Sequence, residues 1–184
     1  MRNRFPLILF FAFVFASVLY AVPRHASQDS RTAAEPLIRT AIYESALATL
    51  TGDVKLYRTR VARRTFELYR LIFEGFREVP EYAEMLTENK LDTADKFIDA
   101  TFKQGATRWA NLSKDQMEQQ ARAQSNGKLI FLNDHEVILE FGGSTIRLVY
   151  EDNAWKVDET EAAKKLFLGN FQFTAATRAK IDKL

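Results

Sequence analysis

The chain has 184 residues, 26 basic against 24 acidic, with two His and no Cys. This excludes a disulfide scaffold and any Cys-ligated metal centre, so stability must come from a hydrophobic core. Arg2 and Arg4 precede every acidic residue, and without them the remainder carries 24 charges of each sign, which removes the bulk electrostatic case for a nucleic-acid partner.

The N-terminal segment, residues 1–22, reads MRNRFPLILFFAFVFASVLYAV. A basic start followed by the uncharged run Phe5–Val22 has the form of a secretory leader. The run also reaches the lower length limit of a spanning helix. The expectation is therefore a signal peptide or an N-terminal membrane anchor. In either case the rest is extracytoplasmic, periplasmic or secreted, with the membrane as a partner through residues 5–22 if they are retained. Residues 23–33 are polar, lack an apolar period and read as a linker. Residues 34–184 read as a single α+β domain, with helices over 34–124, a sheet over 128–158 and a helical tail over 160–184.

Ile38, Ile42, Ser45 and Thr49 lie on one helical stripe flanked by Leu37, Ala41 and Ala48. Gly52 closes this first helix as a C′ glycine, and Asp53 caps the next. The second helix is expected over residues 54–76. From Phe66 to Phe76 it is apolar almost all round, which predicts burial on several sides. Pro80 opens a helix over 80–90. Asp92 caps another over 92–104, ended by Gly105. Ser113 and Gln116 have capping-box spacing for a helix running to residue 124 and stopped at Asn126-Gly127.

The period then changes to alternation, and three two-residue turn signals follow: Asn133-Asp134, Gly142-Gly143 and Asp152-Asn153. They delimit strands over 128–132, 135–141, 144–151 and 154–158. Residues flanking a two-residue loop pair and share a face. Pairing Leu132 with His135, Phe141 with Ser144 and Glu151 with Ala154 gathers Ile130, Leu132, Val137, Leu139, Phe141, Ile146, Leu148, Tyr150, Trp155 and Val157 on one side. The result is a four-or-more-stranded antiparallel meander with one apolar face, which the preceding helices must cover. Residues 160–170 read as a further helix.

A helix ending in TGD, further helices including LSKDQM at 112–117, and a meander ending in Glu151-Asp-Asn-Ala-Trp-Lys-Val-Asp158 together resemble the nuclear transport factor 2-like superfamily, in its exported non-catalytic form. The resemblance covers residues 34–159. It implies a cone-like helix-on-sheet layout with a cavity between the layers. It also implies a family that holds ketosteroid isomerase-like and cyclase-like enzymes beside binding and scaffold domains.

The residues themselves offer little chemistry. The two His stand apart from each other, at 25 and 135, without a metal-binding pattern, and no phosphate, dinucleotide or nucleophile motif occurs. No metal, cofactor or catalytic residue is assigned. An isomerase-like site needs a carboxylate in an apolar cavity, facing a hydrogen-bond donor. The register turns the sheet's acids outward and leaves Asp92, Asp95 or Asp99 as helix-borne alternatives. His135, Tyr150 and Trp155 are the polar-capable residues of the apolar face. With Leu139, Leu148 and Phe73 they are the candidates for a small apolar ligand, although Tyr150 and Trp155 read better as a cross-strand core pair with His135 at the sheet margin. Arg58, Arg60, Arg63 and Arg64 are candidates for an anionic lipid surface or an acidic envelope partner, and the acid-rich stretch 74–99 could instead pair with them. The leading expectation is a non-enzymatic binding or assembly module of the cell envelope. A carrier or sensor of a small apolar ligand is the alternative, and an isomerase-like or cyclase-like enzyme the third.

Overall fold

The computed structural model describes residues 28–184. The expected leader or anchor, residues 1–22, and the first part of the linker lie outside them. No helix among the described residues is long and apolar enough to cross a membrane.

Helix α1 (Gln28–Thr51) begins inside the stretch expected as linker and ends at Gly52, whose φ of 72° and N–H bond to the Ala48 carbonyl (2.8 Å) make it the expected C′ residue. Asp53 then caps α2 (Val54–Arg60) by accepting from the Leu56 N–H. The single helix expected over 54–76 is two. Val61 and Ala62 are extended, and α3 starts afresh at Arg63–Glu78. The cause is tertiary: Val61 bridges in parallel to Val157, and the Ala62 N–H donates to the Val157 carbonyl at 2.8 Å. Two residues leave the helix to satisfy the free edge of the sheet, a demand that helical periodicity does not report.

Helices α4 (Pro80–Glu88) and α5 (Ala94–Ala106) follow. Thr93, not Asp92, caps α5, while Asp92 pairs with the Lys96 ammonium, and α5 runs through Gly105 into a short 3-10 turn, Thr107–Trp109. Helix α6 (Lys114–Ser125) opens on the predicted capping box, with both reciprocal bonds formed.

Strands β1 (Lys128–Asn133), β2 (Glu136–Phe141), β3 (Ser144–Glu151) and β4 (Ala154–Asp158) form one antiparallel meander in sequence order. The pairings Phe141 with Ser144 and Glu151 with Ala154 are as predicted. The first hairpin differs. Asn133, not Leu132, closes it, opposite Glu136, and a bulge at Leu132 shifts the rest so that Phe131 pairs with Val137 and Leu129 with Leu139. The Asn133 side chain accepts from the His135 N–H at 2.8 Å, moving the turn one residue on. A shift of one residue exchanges the faces. Leu129 and Phe131, not Ile130 and Leu132, therefore pack with the apolar face.

The cover of that face is α1. Ile38, Ala41 and Ile42 bury Val137, Leu139, Leu148, Trp155 and Val157. The aromatic helix α3 serves a second core, with α4, α5, α7 (Thr160–Asn170) and α8 (Ala175–Lys183). Gly75 of α3 allows α8 to approach: a Cβ there would lie 2.7 Å from both Phe173 and Thr177 side-chain carbons. The protein is thus α+β, with N-terminal helices on a four-stranded meander.

Candidate ligand-binding site

The candidates read from the sequence do not converge. Leu139, Leu148 and Trp155 are buried under α1, and Phe73 belongs to the other core, where its ring meets that of Phe97. Tyr150 packs on Trp155 (centroids 5.5 Å) and on His135 (5.8 Å), with 38% of its surface exposed. It is one half of a cross-strand aromatic pair at the margin of the sheet. None of the six lines either of the two cavities described below.

The basic strip is engaged internally. Arg58 pairs with Asp95 (3.0 Å) and Asp99 (2.7 Å), Arg60 with Glu44, and Arg63 with Asp152 (2.8 Å). Arg64 donates to the Leu184 carbonyl and lies 3.5 Å from Glu161. The helix-borne acids Asp92, Asp95 and Asp99 are all in such pairs, so none is the cavity carboxylate that an isomerase-like site requires.

That carboxylate exists elsewhere. Two neighbouring cavities, of about 320 and 70 Å³, share Thr49, Trp109, Glu159 and Ala162 in their walls. The larger lies among α1, the sheet and α7, with Ile42, Ala46, Leu50, Ile146 and Val157 as its apolar wall. Ser45, Gln120 and Gln124 supply polar groups there, and Arg147, Asp158, Glu159, Glu161 and Lys165 supply charged ones. The smaller is lined by Tyr57, Tyr69 and Phe102, with Arg108 also in its wall.

Glu159 is held where β4 passes into α7. Its N–H donates to the Thr65 hydroxyl at 3.0 Å, and the next N–H, of Thr160, donates to the Asp158 carboxylate at 3.0 Å. Asp158 in turn lies 3.6 Å from Arg147, whose Nε sits 2.7 Å from Glu136 without the alignment of a hydrogen bond. Thr65 is fully buried on α3, so the helix that restarts after Val61 fixes the backbone of the acid. The break also matters to the other side: α2 ends there, and it brings the Tyr57 hydroxyl to donate to Glu159 Oε2 at 2.8 Å.

Burial pushes the Glu159 carboxyl above its ordinary value, and the Asp158 charge adds to this, while the Tyr57 bond works against it. Among the described residues, no basic group contributes to that balance. Burial and the same carboxylate drive both Tyr57 and Tyr69 well above the ordinary phenol value, so both stay neutral hydrogen-bonding groups. The arrangement is a partly buried carboxylate facing neutral phenols and aromatic rings, able to receive a proton, a hydrogen-bond donor or a positive charge.

The sequence held a signal for Glu159. Trp155 and Val157 alternate on the inward face, and one more step of that period reaches residue 159. The strand expected over 154–158 ends one residue short of it. Tyr57 had no comparable signal. Among the described residues, no three His, Cys, Asp or Glu side chains are grouped to hold a metal ion. In comparison with known proteins, no family model, curated protein or solved structure matches this chain.

Proposed function

We propose that this chain is an exported, nuclear transport factor 2-like module that binds a small, mostly apolar molecule between α1, the meander and α7. The observation that carries the reading is the cavity of about 320 Å³, in which an apolar wall is joined by polar and charged side chains, at the lower end of the size range of small-molecule sites. The helix-on-sheet layout supports the family, and the basic-then-apolar run of residues 1–22 supports extracytoplasmic placement. The internal pairing of Arg58, Arg60 and Arg63 with acidic groups favours a ligand in the interior over an anionic surface partner.

The test is a titration of the full chain with the neutral fluorophore N-phenyl-1-naphthylamine. Saturable binding is expected, and Thr49→Phe, placed where the two cavities meet, is expected to abolish it while the melting transition is retained. Binding that never saturates, or that survives this substitution, overturns the proposal.

A further inference from the structure

We infer that the smaller cavity receives the charged head of the ligand and that this head is an organic ammonium, a protonated amine whose apolar body extends into the larger cavity. The inference rests on the small-molecule reading above. It comes from the chemistry gathered around Glu159. A carboxylate in a largely apolar wall needs a partner, because an uncompensated charge out of water is costly. Its side-chain bond comes from a neutral phenol, Tyr57, and among the described residues the groups that shift its carboxyl are Tyr57 and the acidic Asp158, with no cation between them. An ammonium supplies the missing charge together with several N–H donors.

The other walls suit the same head. Tyr57, Tyr69, Phe102 and Trp109 all line the small cavity, and aromatic rings attract cations once water is displaced. Tyr57 and Phe102 are fixed against each other with centroids 3.9 Å apart, so this wall is preformed. A volume of about 70 Å³ holds an ammonium with its first carbons and no more. Thr49, Trp109 and Ala162, shared with the larger cavity, mark the passage for the remainder. A carboxylate head would instead meet Glu159 as a like charge, and only Arg108 in this wall would favour it.

The experiment compares three ligands of equal chain length, octylamine, octan-1-ol and octanoate, by displacement of N-phenyl-1-naphthylamine from the full chain and from Glu159→Gln. The amine is expected to compete about tenfold better than the alcohol in the unmodified chain. In Glu159→Gln that preference should shrink to about twofold or less, with a retained cooperative melting transition as the control for folding. Equal competition by amine and alcohol, or a preference for octanoate, overturns the ammonium head and leaves the cavity reading standing. A preference that persists in Glu159→Gln also overturns it. If the fluorophore itself fails to bind, the cavity reading falls and the head-group inference falls with it.

Discussion

The two ends of this molecule bury apolar surface by opposite means. In the core shared by α3, α4, α5, α7 and α8, the Phe76 ring is fully enclosed and meets Tyr82, Phe97, Phe167, Phe171 and Phe173 at centroid distances between 4.9 and 6.2 Å. Against the sheet, α1 presents Ile38 and Ile42 and then turns small, with Ser45, Ala46, Ala48 and Thr49. Those small side chains let α2 and α6 come close to α1, and where the sheet ends they leave the space that becomes the larger cavity. Interlocked rings collect dispersion contacts that an open space gives up. The comparison therefore separates the part of the chain that supplies stability from the part that keeps room for a ligand.

Phe76→Ala is expected to have the largest effect. Removing a fully buried aromatic ring is expected to cost about 3–5 kcal/mol in urea unfolding, because five neighbouring rings cannot all collapse into the gap. The same variant, where still folded, should bind the fluorophore as the unmodified chain does. A loss below about 1 kcal/mol would show that the aromatic core is as loosely filled as the sheet end.

Proton linkage sharpens the contrast, with opposite signs at the two ends. Glu78, on the aromatic side, accepts from the Thr174 and Thr177 hydroxyls at 2.6 and 2.8 Å, and these bonds hold its carboxyl below the ordinary value of 4.5. Its contribution to stability is present above that value and is lost as pH falls through the lower, folded-state one. Glu159, on the cavity side, is raised above 4.5 by burial. It imposes no penalty below 4.5, where both states are protonated. The penalty grows as pH rises toward the raised value and is complete above it. Measured by thermal melting, Glu78→Gln should therefore be less stable than the unmodified chain at neutral pH, and Glu159→Gln more stable. Both differences should close as pH falls below about 4. If Glu159→Gln were destabilised at neutral pH and recovered in acid, the carboxylate would be a structural anchor, not a strained binding group.

What was legible in the sequence follows the same division. The period of α1, the Gly52 stop, the Ser113 capping box and two of the three hairpins depend on local chemistry, and they were readable. The α2–α3 break depends on a demand made by Val157, far along the chain, for a backbone partner. The bulge at Leu132 depends on one Asn side chain selecting a turn. The apolar run Phe66–Phe76 predicts burial on several sides, yet periodicity cannot say against what, and these residues pack on helices and not on the sheet. The site was the least legible part. It joins residues of α1, α2, α3, α5 and the β4–α7 junction, and no single segment carries its pattern.

The smallest expected effect lies on the seam between the two ends. Arg58 of α2 reaches Asp95 and Asp99 of α5 and lies over the Phe66 ring, 5.8 Å from its centroid. With about a third of its side chain exposed, the pairing is screened by solvent. Arg58→Ala should cost less than about 1 kcal/mol, and the difference should narrow as salt is raised. Its value lies in coupling. Tyr57, the neighbour that bonds Glu159, also packs on Phe102 of α5, so α2 and α5 are braced together twice. If the aromatic core and the cavity end are energetically separate, Arg58→Ala and Phe76→Ala should add to within about 0.5 kcal/mol in a double-mutant cycle. A larger coupling would mean that the seam transmits strain, and the cavity walls could then not be treated as independent of the packing beneath them.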